Sequence, residues 1–222
     1  YRSFAVNAGD QAYKITMEID ERMTRLAENG ELEGFPRVLT FQSAVDGTVS
    51  VSALISRLFA RLPEGGHELV LFDINRLSIV NQILKHDPKE ELRALLRDDS
   101  PFALSVVKND ERDGEILRDV LWMRRPAGGG VVTSTLIDEQ WPEMVYSLSH
   151  IALPFPEHDK LYGGGNNGAE MTLGNLALYG ERGTVAVPPS DMLRQRWNPF
   201  YQFMEARMLE FCDLSPAPDG TR

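Results

Sequence analysis

Cysteine is almost missing from this chain. Cys212 is the only one among 222 residues, so no internal disulfide can form and nothing in the fold depends on an oxidising compartment. Its apolar neighbours Met208, Leu209 and Phe211 predict a buried, inert thiol. Long hydrophobic runs are also lacking. No stretch approaches the ~20 apolar residues of a membrane-spanning helix, and no signal peptide is visible in these residues. Positive charge is scarce: 23 Lys and Arg face 33 Asp and Glu, for a net charge of −10. That balance argues against nucleic acid as the main partner, because phosphate binding needs clustered cations. The Arg124-Arg125 pair is too small to reverse it and is read as capping the C-terminal end of a helix.

What is present is an ordinary globular composition, 42% hydrophobic and 25% charged, enough for a sizeable core. With no internal repeat and no linker, one domain spanning residues 1–222 is expected. Ala12, Ile15, Ile19, Met23 and Leu26 recur at helical spacing over residues 10–29, with Gly30 as a stop signal. A strand at 38–43 precedes a helix at 50–62, which carries Leu54, Ile55, Leu58, Phe59 and Leu62 on one face. Residues 68–74 include the continuous apolar run Leu69-Val70-Leu71-Phe72, expected of a parallel strand covered on both faces. This strand–helix–strand order is an α/β signature.

Further along, a helical region over 77–97 is broken at Pro88. A strand at 102–107, a charged turn at 109–114, and strands at 131–137 and 144–149 follow. Residues 156–171 read as a long Pro- and Gly-rich loop. A last helix is expected to start at Asn198 as N-cap with Pro199 at N1, its apolar stripe being Phe200, Phe203, Met204, Met208 and Phe211.

Two residues stand where a serine hydrolase needs them. Asp46 follows the strand at 38–43 and precedes a helix. His150 follows the strand at 144–149 and precedes the sharp exit Ala152-Leu153-Pro154-Phe155-Pro156. A triad needs an imidazole to take the hydroxyl proton and a carboxylate to hold that imidazole in the right tautomer. Acid before histidine is the order of an α/β-hydrolase, whose serine comes first. Each residue also has a plainer reading. Asp46-Gly47 is a common turn pair, and a lone histidine beside a strand is often a hydrogen-bonded core residue. A G-x-S-x-G turn occurs nowhere in the chain, which opens on Tyr1, so the nucleophile is expected upstream.

The segments Tyr1-Arg2-Ser3-Phe4-Ala5-Val6-Asn7-Ala8, Phe41-Gln42-Ser43-Ala44-Val45-Asp46-Gly47-Thr48-Val49, Leu69-Val70-Leu71-Phe72-Asp73-Ile74-Asn75-Arg76, Tyr146-Ser147-Leu148-Ser149-His150-Ile151-Ala152-Leu153-Pro154-Phe155-Pro156 and Arg196-Trp197-Asn198-Pro199-Phe200 resemble blocks of a bacterial group of α/β-hydrolases, the esterase- or lysophospholipase-like serine hydrolases. The resemblance covers most of the chain. It implies the C-terminal half of an α/β-hydrolase-type, mostly parallel sheet flanked by helices, with a strand-rich insertion between acid and histidine. It also implies Asp46 as triad acid, His150 as triad base, no cofactor, an ester or lipid-like small-molecule substrate, and an N-terminal segment of the same protein as the structural partner. The elbow and the oxyanion-hole loop of that family are absent from these residues, and the histidine does not follow the very next strand.

Other readings remain open. The scaffold could serve as a non-catalytic interaction domain. Leu71-Phe72-Asp73-Ile74-Asn75 is similar to the strand-end Asp-x-Asp of haloacid-dehalogenase-like phosphotransferases, which would make Asp73 the centre of a metal-dependent phosphatase. Asn75 replaces the second carboxylate, and a strand-terminal cap is the simpler expectation for Asp73. His150, His158 and Asp159 match no zinc-ligand spacing, and His158-Asp159 is expected in an exposed loop. The glycine runs at 128–130 and 163–168 match no phosphate-binding loop.

Overall fold

The computed structural model describes residues 6–46, 49–77, 87–142, 155–160 and 197–214. Its elements in chain order are α1 (Val6–Glu28), β1 (Leu39–Ser43), α2 (Val51–Arg57) with a 3₁₀ turn at Phe59–Arg61, β2 (Glu68–Phe72), α3 (Lys89–Leu95), β3 (Ala103–Arg112), β4 (Glu115–Arg125), β5 (Thr133–Gln140) and α4 (Tyr201–Phe211). The strands form one sheet in the order β1-β2-β3-β4-β5. β1, β2 and β3 pair in parallel, whereas β4 pairs antiparallel with both β3 and β5. It is therefore an α/β mixed sheet flanked by helices, parallel over its first three strands rather than mostly parallel.

β2 shows why. All five of its residues are buried, as a strand needs when helices cover both of its faces. Leu69 and Leu71 point to one side, where they join Phe59, Leu62, Leu92 and Leu104 under α2 and α3. Val70 and Phe72 point to the other side, toward Phe200 and Phe203 of the α4 segment. There Phe72 stacks on Phe200 at 5.5 Å, and Trp141 meets Phe200 edge-on at 4.8 Å. Such ring pairs contribute about 0.5–1.5 kcal/mol each beyond their buried area.

Several sequence expectations are corrected. The charged turn at 109–114 shrinks to Asp113-Gly114, whose φ angles of 52° and 82° are those of a two-residue hairpin turn. Residues 109–112 instead extend β3. Arg124 and Arg125 cap no helix, for they end β4. Burial there lowers the Arg125 pKa, and its guanidinium donates to the Pro126 and Phe102 carbonyls at 3.0 and 3.4 Å. Asn198 does not cap α4 directly: its Oδ1 accepts from the Phe200 N–H at 2.9 Å, and the helix starts at Tyr201. The Phe203 N–H is taken up by Glu139 on β5 at 2.5 Å. Arg207 shares the buried face of α4 with Phe203 and Met204, whereas Met208 is 38% exposed and Cys212 is exposed. On α1 Met23 is buried in the core and Leu26 and Ala27 pack against it, while Ile15 and Ile19 are more than half exposed. The glycine run at 128–130 does precede a strand, though one running to Gln140. The expected strand at 144–149, the helix before Pro88 over 78–86, the glycine run at 163–168 and His150 itself lie outside the described residues. No helix among the described residues is long and apolar enough to cross a membrane.

His67 was not singled out by its sequence surroundings, yet it is 1% exposed. Its Nδ1 accepts the Val38 N–H at 3.1 Å, so protonation there would set two donors against each other. Burial lowers its pKa below the ordinary 6.5, against a weaker upward pull from the Pro63 backbone. The unfolded chain therefore takes up a proton at higher pH than the folded one. The histidine's contribution is complete above 6.5 and lost as pH falls through the lower folded value. Urea denaturation at stepped pH is expected to show stability falling below that point in the native chain. In His67→Gln, which has no charge to gain, this component should vanish. Parallel pH profiles for the two proteins would refute the assignment.

Candidate functional site

β1, β2, β3 and β5 run in the same direction, so their C-terminal ends gather at one edge of the sheet. That edge is where open α/β sheets place ligands. Three strand exits there carry polar groups.

The first exit holds Asp46. Ala44 still pairs with the Phe72 carbonyl at 2.8 Å, and the chain then turns, with the Asp46 N–H donating to Ser43 O at 3.2 Å. Buried Gln42 cinches the loop. Its Nε2 donates to Asp46 Oδ2 at 2.6 Å and to the Val49 carbonyl at 3.0 Å, while the Val49 N–H donates to Asp46 Oδ1 at 3.0 Å. Ser50 then caps α2 through the Ala53 N–H at 3.3 Å. Asp46 is thus held on both oxygens and has further interactions besides.

The second exit is Asp73-Ile74-Asn75-Arg76. Arg76 forks onto Asp73, Nε to Oδ2 at 2.9 Å and Nη2 to Oδ1 at 2.8 Å, and reaches Asp87 at 2.5 Å. Burial raises the Asp73 pKa above its ordinary value, and Arg76 opposes that rise. Burial also works against the Arg76 charge, but the two carboxylates outweigh it and hold the guanidinium above its usual range. At Asp87 burial pushes upward, and hydrogen bonds from Arg76 and the Lys89 N–H prevail to leave it lowered. Both Asp73 oxygens, directly after the end of β2, are thus engaged by a bidentate guanidinium, and the Ile74 backbone is a further hydrogen-bond partner of the carboxylate. No group of three metal-ligating side chains occurs among the described residues.

The third exit leads from β5 through Trp141 to Pro142. The Pro142 carbonyl accepts from Asn75 Nδ2 at 3.0 Å, tying this exit to the end of β2. Asn75 in turn meets Asn109 of β3, which donates to Leu117 O at 2.8 Å and accepts from the Arg76 N–H at 2.7 Å. Both asparagines are almost fully buried. Where the chain is next described, the Asn198 N–H donates to the Phe155 carbonyl at 2.9 Å. His158 is exposed in a turn.

Beside Asp46, α2 and α3 frame an open groove of about 630 Å³, within the range of small-molecule sites. Val45, Val51, Ile55, Leu92 and Leu95 give it an apolar wall, and Asp46, Glu91 and Asp98 lie on its margin. Sequence reading missed this groove and the Asp73–Arg76 fork. The fork's i, i+3 spacing was a usable signal; the groove, built from two helices far apart in the chain, left none. Comparison with family models, curated proteins and solved structures found no match to this chain.

Proposed function

We propose that these residues supply the acid and histidine of a serine-type ester hydrolase, with Asp46 orienting His150 and a serine contributed by polypeptide upstream of residue 1. The observation that carries this reading is the strand order. β5 returns to the edge where β1 releases Asp46, and Asn75 pins Pro142, eight residues before His150, at that edge. β1 and β5 are the two outer strands, and the tie to Asn75 brings the chain from β5 back to the end of β2, the strand next to the one that releases Asp46. The groove lined by Val51, Ile55 and Leu95 would receive the apolar part of an ester or lipid-like substrate. β1 at the margin of the sheet and the exposed Ile15 and Ile19 on α1 are surfaces that additional polypeptide would cover. In the reaction, His150 would take the serine proton as the hydroxyl attacks the ester carbonyl, then return it to the leaving alcohol.

A second reading, a non-catalytic interaction domain, draws on the local bonding of Asp46: Gln42 and Val49 already occupy both of its oxygens. Fluorophosphonate labelling separates the two. The chain joined to its upstream polypeptide is expected to label on one serine outside these 222 residues and to hydrolyse short-chain esters, while the isolated chain does neither. Absence of labelling and turnover in both forms would favour the interaction domain. Labelling of Ser147 or Ser149 in the isolated chain would refute the upstream nucleophile.

A further inference from the structure

A second, smaller cavity of about 130 Å³ lies on the other side of α3, between that helix and the β3–β4 hairpin. It has room for a group about the size of four water molecules. Its floor is apolar, made by Leu92, Val106, Ile116 and Met123. Its charged lining is lopsided for a chain with a net charge of −10: Arg76, Lys89, Arg93 and Lys108 face only Asp73 and Glu111.

The four cations are not equivalent. Arg76 is taken by Asp73 and Asp87, Arg93 pairs with Glu90 at 3.0 Å, and Lys89 lies 3.8 Å from Glu111. Lys108 is half-buried in the middle of β3, and no carboxylate among the described residues comes within ion-pair distance of it. Its ammonium is not sealed from solvent, so an anion entering the cavity would meet a cation with no carboxylate of its own. An inorganic anion would gain nothing from the leucine, isoleucine and methionine floor, whereas a carboxylate carrying a short aliphatic tail would use both features.

We propose that this cavity is a binding site for a short-chain organic carboxylate, with Lys108 as the counter-charge and the Leu92–Met123 floor as the seat of the tail. The site lies beyond the groove that contains Asp46 and does not rest on the hydrolase reading.

The test uses the full 222-residue chain with ¹³C-methyl methionine and follows the Met123 resonance during titration with sodium propanoate, against sodium chloride of equal ionic strength. A saturable shift is expected, and Lys108→Gln should weaken it about tenfold or more, as loss of a charge-assisted contact does. In the native chain 1-propanol, which has the tail without the charge, should bind at least about tenfold more weakly on the same grounds. That comparison stands even if the variant folds poorly. No saturable shift, equal binding of propanol, or displacement by inorganic phosphate at equal concentration would each overturn the proposal.

Discussion

Glu68→Leu is expected to cost about 3–5 kcal/mol of stability, the usual penalty for stranding one partner of a buried ion pair. Glu68 opens the otherwise apolar β2 and is 2% exposed. Its Oε2 accepts from Arg207 of α4 at 2.6 Å, and its Oε1 accepts from Ser105 of β3 at 2.7 Å. The indole of Trp122 on β4 donates to that same serine at 2.9 Å and lies 5.1 Å beneath the Arg207 guanidinium. One carboxylate thus joins α4 to three strands. Arg207 also pairs with Glu210, but Glu210 is largely exposed and leaves the inner nitrogen unanswered. The double variant Glu68→Leu/Arg207→Met is expected to recover most of the loss, because it removes the buried unpaired charge and leaves only Arg124, 3.5 Å from the same carboxylate, whose 38% exposed side chain water can solvate. Urea unfolding with unchanged slope measures both effects. A single variant as stable as the native chain would mean that the pair does not anchor α4.

That network was invisible in the sequence for a physical reason. Its two principal members lie 139 positions apart, and no local pattern couples a strand's first residue to a helix so distant. Arg207 even sits inside an apolar stripe read as Phe203, Met204 and Met208, where three- and four-residue spacing gives the buried face but not its angular limits. By contrast β2 was legible, since four successive apolar residues at a strand's length have few other uses. β4 was not: Glu115, Arg118 and Asp119 interrupt its apolar residues, and its half-exposed position tolerates that mixture. The parallel-to-antiparallel switch was hidden in Asp113-Gly114, a hairpin signal masked by the charges on either side. At the candidate site, position along a strand exit picked out Asp46. What it could not give was Gln42, which faces Asp46 only because the chain reverses there. Asn75 was likewise unreadable as a tether, for its partner is the Pro142 carbonyl 67 residues on.

Asp46→Asn is the substitution that best tells the two roles of Asp46 apart. As a turn residue, Asp46 accepts the Val49 N–H, and asparagine caps such turns about as well as aspartate. Its amide nitrogen would face the Gln42 Nε2 donor that the second carboxylate oxygen now accepts, so stability should fall by about 1–3 kcal/mol with the fold retained. As a triad acid it must hold the imidazole N–H and stabilise the imidazolium formed when serine gives up its proton. An amide can present the wrong atom to that ring and carries no charge, and an equivalent replacement in a serine protease lowers turnover about 10⁴-fold. In the protein that includes the nucleophile-bearing segment, kcat for a short-chain ester should fall by about that factor, with KM little changed. His150→Ala should remove turnover at least as completely, and Asp46→Asn/His150→Ala should be no worse than His150→Ala alone, since the acid acts only through the histidine. If Asp46→Asn retains turnover within about threefold of native, a change under 1 kcal/mol, then Asp46 is a turn cap and the triad assignment fails.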